Sequence, residues 1–337
     1  MPLVVLLRTN QALLLTALAH RLELPTRQKD YFTFDQHFGL VMQSKPQNPS
    51  RKHHILPRFY LRGFAMPTDP TSIWVYRRGK IYLPGKSSDI NNPCPTSIKK
   101  TAMKLDYFSY LDVNGLQDYE TIEHELQKRE STDAALLRKM IGGEKLPWQE
   151  REDFCRFIFL IYFRSPARQL QFPKLWGDVY GESFLTNLIN EIEVEIGKPL
   201  KPFQIDLLRN VSEYSPEDVE RVRQQSILNK VPRCVDALVQ MRWTVIHAPL
   251  KSYFITSDNP VLFTPLGGPD AELFFPLSSR LALWATNFHV PTIGTAHVNE
   301  SFVQMTNSSV CQAALSQTYA CRQSGDLVRI FNEYQSG

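Results

Sequence analysis

Most of the short motifs that announce an activity are missing from this chain. Its five cysteines, at 94, 155, 234, 311 and 321, form no CxxC pair. Structural zinc bound through thiolates needs closely spaced pairs, so that site class is disfavoured. An odd, scattered set of cysteines reads as the reduced thiols of a cytoplasmic protein. The absence of a GxGxxG or Walker loop disfavours nucleotide cofactors. No GxSxG elbow surrounds Ser257, which argues against a Ser/His/Asp hydrolase. The apolar N-terminal run is broken by Arg8 and falls short of a membrane span. Internal repeats and low-complexity tracts are also lacking.

What is present is ordinary globular composition: 337 residues, 43% hydrophobic and 21% charged, ample for a core. Residues 1–50 read as an extension and linker. An amphipathic helix is expected near 10–23, and "SKPQNPS" at 44–50 is a Pro/Ser/Asn tract without apolar periodicity. Met42 offers an alternative start. Residues 51–335 read as one domain.

Along that domain the apolar period changes twice. "SIWVYRRGKIYLPG" alternates around Arg78-Gly79 like a β-hairpin. From Tyr119 the spacing becomes helical, with helices expected over "TIEHELQKRESTDAALLRKMI", "WQEREDFCRFIFLIYFRS", "GESFLTNLINEIEVEIGK" and "SPEDVERVRQQSILNKVPRCVDALVQM". "FLIYF" is apolar on every side, which marks a buried helix. Strands return in "RWTVIHA", "SYFITSD", "VLFTPL", "ELFFPLS" and "LALWAT", and "HVNESFVQMTNSSVCQAALSQTYACR" reads as a closing helix. Strands segregated from helices imply an α+β fold: a helix-rich middle and a segregated small antiparallel sheet.

Charge is uneven. Between Arg51 and Lys104 stand eleven Lys or Arg and two acids, Asp69 and Asp89. This block, interleaved with Phe59, Tyr60, Trp74, Tyr76 and Tyr82, suits phosphate neutralisation and base stacking. Arg58, Arg62, Arg77, Arg78 and Lys80 are its candidate substrate-binding residues. The competing reading is a solvated basic face.

Polar residues stand at the edges of strongly apolar segments. His53 and His54 are adjacent, so in extended chain they face opposite ways and one of them, His54, is expected to enter a site. Glu123 and Glu130 are seven residues apart on a helix, hence on one face and about 10 Å apart along it. Arg164 ends the apolar helix, and Asp258 stands where a strand stops at a Pro turn.

"KHHILPRFYLRGFA", "TIEHELQKRE", "FRSPAR" and "FITSDNPVLF", in that order, resemble domain-of-unknown-function family 4238, found mainly in bacteria and also in fungi. The resemblance runs from about Arg51 to Tyr319. It implies a shared fold and a shared polar set, and no activity. Two readings of that set stand side by side. In one, His54, Glu123, Arg164 and Asp258 are catalytic in a nuclease-like, metal-dependent hydrolase of nucleic acid. A divalent ion would then be held by His53, His54, Glu123, Glu130 and Asp258. In the other, the same residues form a buried structural network within a nucleic-acid- or protein-binding module.

Overall fold

The computed structural model describes residues 51–78, 93–111, 116–170, part of 186–205, 232–264, 268–287 and 294–333. The N-terminal extension, the return strand of the expected hairpin, Lys80 and most of the helices expected at 181–198 and 215–231 lie outside these residues.

In chain order the described elements are β1 (Lys52–His54), α1 (Arg58–Leu61) running into a 3-10 turn (Arg62–Phe64), β2 (Ser72–Arg77), β3 (Cys94–Ser97), a second 3-10 turn (Ile98–Lys100), β4 (Met103–Leu105), β5 (Tyr110–Leu111) and β6 (Gln117–Asp118). Then come α2 (Thr121–Ile141), α3 (Trp148–Arg164), α4 (Pro232–Gln240), β7 (Arg242–His247), β8 (Thr256–Ser257), β9 (Leu262–Phe263), β10 (Glu272–Pro276), β11 (Leu281–Thr286) and β12 (Gly294–His297). The last are α5 (Glu300–Ala313), β13 (Gln317–Ala320) and α6 (Gly325–Glu333). The fold is α+β.

The strands form sheets of five (β12-β7-β11-β10-β9), four (β3-β2-β13-β8), two (β1-β4) and two (β5-β6), rather than one small sheet. All pairings are antiparallel except β12 with β7. Strand alternation sends side chains to two apolar cores. Trp243, Leu273, Phe275 and Leu283 of the larger sheet, with Ile73, Val75 and Tyr319 of the other, enter the first core. Ile246, Phe274, Ala282, Tyr76 and Ala320 enter the second. Helices α1 to α4 close the first core, and α5 and α6 close the second. Helix α3 is buried nearly all round, through Phe154, Cys155, Phe157, Ile158, Phe159, Ile161 and Tyr162, as its unbroken apolar run requires.

Segment "QTYA", read from the sequence as the end of the last helix, is instead β13, an interior strand of the four-stranded sheet between β2 and β8. Helix α5 stops at Ala314, whose ψ of 136° is extended. Thr318 and Tyr319 then find strand partners on both sides, which outweighs a helical spacing.

Helix α1 is anchored to both larger sheets through Tyr60. Its hydroxyl donates to the Pro276 carbonyl at 3.0 Å and accepts from the Thr256 hydroxyl at 2.8 Å. Its ring stacks on Phe275 at 5.3 Å, and burial drives its phenol far above the ordinary range. Gly63 follows on the same turn. A Cβ there would lie 2.9 Å from the Leu277 carbonyl oxygen, so this close backbone approach needs glycine.

Candidate functional site

Strand β1 pairs with β4, placing His53 opposite Lys104 and His54 opposite Met103. The alternation separates the two imidazoles. His53 is fully buried and stacks on Phe108, centroids 5.5 Å apart. Its Nδ1 accepts the Phe108 main-chain N–H at 2.9 Å. That bond fixes the ring proton on Nε2 and takes Nδ1 out of any metal set. His54 is half-buried, and its Nε2–H donates to the Lys99 carbonyl at 3.3 Å. Burial, with the charges of Arg58 and Arg164 nearby, holds its imidazole below the ordinary histidine pKa.

Arg164 ends α3 in the interior, 3% exposed. Its guanidinium donates to the His54 carbonyl and lies over Phe108 at 5.3 Å. Its own carbonyl accepts the Tyr107 hydroxyl at 2.8 Å. Burial lowers its pKa, opposed by Glu123, Glu130, Tyr107 and Asp133. Three carboxylates of α2, spaced at i, i+7 and i+10, therefore share one helix face beside this cation. Arg164 Nε and Glu123 Oε2 are buried and have no hydrogen-bond partner among the described residues. Asp133, 3% exposed, accepts from Arg129 at 3.3 Å. Burial outweighs that pairing and pushes its carboxyl up to about 6.

Asp258 stands apart from this group. Its carboxylate accepts four donors: the N–H groups of Leu315 (2.9 Å), Ser316 (2.8 Å) and Gln317 (3.1 Å), and the Ser316 hydroxyl (2.6 Å). It ties the α5–β13 turn to β8, and its acceptor positions are used there. The neighbouring Asn259 makes the connection to Arg164's segment. Its Oδ1 accepts the Ser165 hydroxyl at 3.1 Å, while its amide donates to the Ala313 carbonyl at 2.9 Å. Ser165 also caps the helical turn that begins at Pro166, its Oγ accepting Arg168 N–H at 3.4 Å, with proline at the first helical position. "FRSP" and "SDNP" thus meet through Ser165 and Asn259.

The structure accordingly brings His53, His54, Glu123, Glu130 and Arg164 to one neighbourhood, with His53 Nδ1 taken up by Phe108, and leaves Asp258 engaged elsewhere. Among the described residues no group of three or more His, Cys, Asp or Glu is arranged to hold a metal ion. The five-residue divalent set expected from the sequence does not fit this geometry, because Asp258 is saturated by donors and His53 Nδ1 by Phe108.

The basic candidates also divide. Arg58 and Arg62 are exposed. Arg78 donates to the Ala314 carbonyl at 2.5 Å and the Gln312 carbonyl at 3.3 Å, capping the end of α5. Arg77 stands beside it at the end of β2, half-buried. Sequence reasoning passed over Asp133, Asn259, Ser165, Lys99 and Lys100. Asp133 carried a signal, since it follows Glu130 by three residues on one helix face. The Ser165–Asn259 bond carried none.

Among the described residues no helix is long and apolar enough to cross a membrane. Neither curated proteins nor solved structures give a match. A family model does: the protein of unknown function family DUF4238 matches residues 52–324. Covering most of the chain and all the segments that meet around Arg164, this match means that the protein belongs to the DUF4238 family.

Proposed function

We propose that the protein binds a nucleic-acid backbone at the corner built from β1, α1, the 98–100 turn and β4. One observation carries this reading. Residues 51–64 and 97–104 contain seven Lys or Arg and no Asp or Glu, and they pack together, β1 against β4 and α1 against the 98–100 turn. Lys52, Arg58, Arg62, Lys99, Lys100 and Lys104 are exposed there or nearly so, and none forms an ion pair with a described residue. Exposed cations on one corner, without an acidic partner among the described residues, suit neutralisation of a phosphate backbone. Replacing Arg58 and Lys99 with Glu should abolish binding to a labelled single-stranded oligonucleotide at low salt. Unchanged binding would remove this reading.

A second reading, phosphodiester hydrolysis at the adjoining polar cluster, is favoured by the unpartnered Glu123 Oε2 beside Arg164. Glu123 would take a proton from the water that attacks phosphorus, Arg164 would face charge developing on the phosphoryl group, and the departing sugar oxygen would leave with a proton from solvent. Glu123→Gln should then bind nucleic acid like wild type and fail to cleave it. Absence of cleavage by the wild-type protein, with or without added magnesium or manganese, would leave binding alone.

A further inference from the structure

The five-stranded sheet carries a second pair of histidines, outside the four segments that carry the family resemblance. His247 ends β7 and His297 ends β12, and the parallel register puts them directly opposite each other. In-register neighbours project from the same sheet face. This is the face whose inner part, through Trp243, Leu281 and Leu283, packs in the first core. At the β12 edge that cover runs out. Thr295 and His297 are exposed, and His247 is half-buried.

The ring centroids lie 4.9 Å apart and the planes are tilted by 38°. Two imidazoles on one tetrahedral zinc, with Zn–N bonds of about 2.0–2.1 Å, have centroids roughly 5.2 Å apart. The observed separation therefore suits shared ligation. Neither ring hydrogen-bonds to another described residue, so ring nitrogens are available. Arg280 is engaged with the main chain, its guanidinium bound to the carbonyls of Ala248, Pro249 and Ser252.

We propose that His247 and His297 form a two-imidazole site for a borderline divalent transition-metal ion such as zinc, with water completing the coordination. Imidazole donors without a carboxylate select zinc, nickel or copper over magnesium or calcium. Position at the end of an edge strand leaves the outer coordination positions open to solvent.

The test uses the full chain, stripped of metal by chelation and titrated calorimetrically with zinc chloride near neutral pH. Wild type should bind zinc at this site and give no heat with magnesium. His297→Ala and His247→Ala should each weaken that binding at least tenfold, while His54→Ala and His124→Ala should retain it. Zinc should also protect both histidines of the wild-type protein from diethyl pyrocarbonate, read by mass spectrometry, which requires no variant to fold. Zinc binding that survives both His297→Ala and His247→Ala, or modification of the pair unaffected by zinc, would overturn the proposal.

Discussion

The guanidinium of Arg164 donates to the main-chain carbonyl of His54, joining the end of the apolar helix α3 to the histidine strand β1. A cation is thereby held in the interior among three carboxylates of α2. Arg164→Ala removes the His54 bond, the Phe108 contact and the counter-charge to Glu123, Glu130 and Asp133 in one step. Breaking a buried charge arrangement this way costs about 3–5 kcal/mol. Urea denaturation should show that loss, and Arg164→Lys should recover only part of it, because a point ammonium cannot reproduce the planar guanidinium contacts. A variant as stable as wild type would contradict this placement.

Asp258 is predicted to act through stability alone. Asp258→Ala strands three main-chain N–H groups at the α5–β13 turn, each worth about 1–3 kcal/mol when buried and unpaired. The chemical-denaturation midpoint should fall sharply, while whatever fraction remains folded binds nucleic acid with wild-type affinity. Specific loss of binding at unchanged stability would return Asp258 to the functional set.

Asp133 should make stability depend on pH. Its folded pKa, about 6, lies above the ordinary value of about 3.9. Folding therefore favours the protonated form. That contribution is full below about pH 4 and is lost as pH rises through about 6, a swing of about 2–3 kcal/mol. His54, held below its ordinary pKa, works in the opposite sense: its contribution is present above about 6.5 and falls away as pH drops. Both proteins share the His54 effect, so the comparison isolates Asp133. Relative to wild type, Asp133→Asn should gain stability between about pH 4 and pH 7. A difference independent of pH would show that Asp133 is not carrying a buried charge.

Much of this was legible in the sequence, for reasons particular residues make plain. Helices α2 and α3 announce themselves through long apolar spacing, and Gly142 and Ser165-Pro166 mark their ends. The alternation in "RWTVIH" and the short apolar run "LALWAT" likewise give β7 and β11. Strand β13 was hidden, because "QTYA" acquires strand character only between β2 and β8. The two histidines were correctly expected to face opposite ways, yet no local signal says which faces inward. Phe108, 55 residues from His53, makes that choice by stacking and by donating its N–H. Asp258 read as a strand-end acid because its four donors come from residues 315–317, and such long-range capping leaves no local trace. Lys99 and Lys100 looked like part of a diffuse basic block until the 98–100 turn packed against α1 and the Lys99 carbonyl met His54.

The most direct test of the nucleic-acid reading is the salt dependence of binding. Affinity for a single-stranded oligonucleotide should be measured from low to moderate salt for wild type and for the Lys99→Ala/Lys100→Ala double variant. Each phosphate contact contributes a slope of roughly 0.7 in log affinity against log salt. If both lysines contact phosphates, the double variant should bind more weakly at every salt concentration, with a slope shallower by about 1.4. Identical affinities and slopes for the two proteins, or no binding by wild type at the lowest salt, would contradict the account.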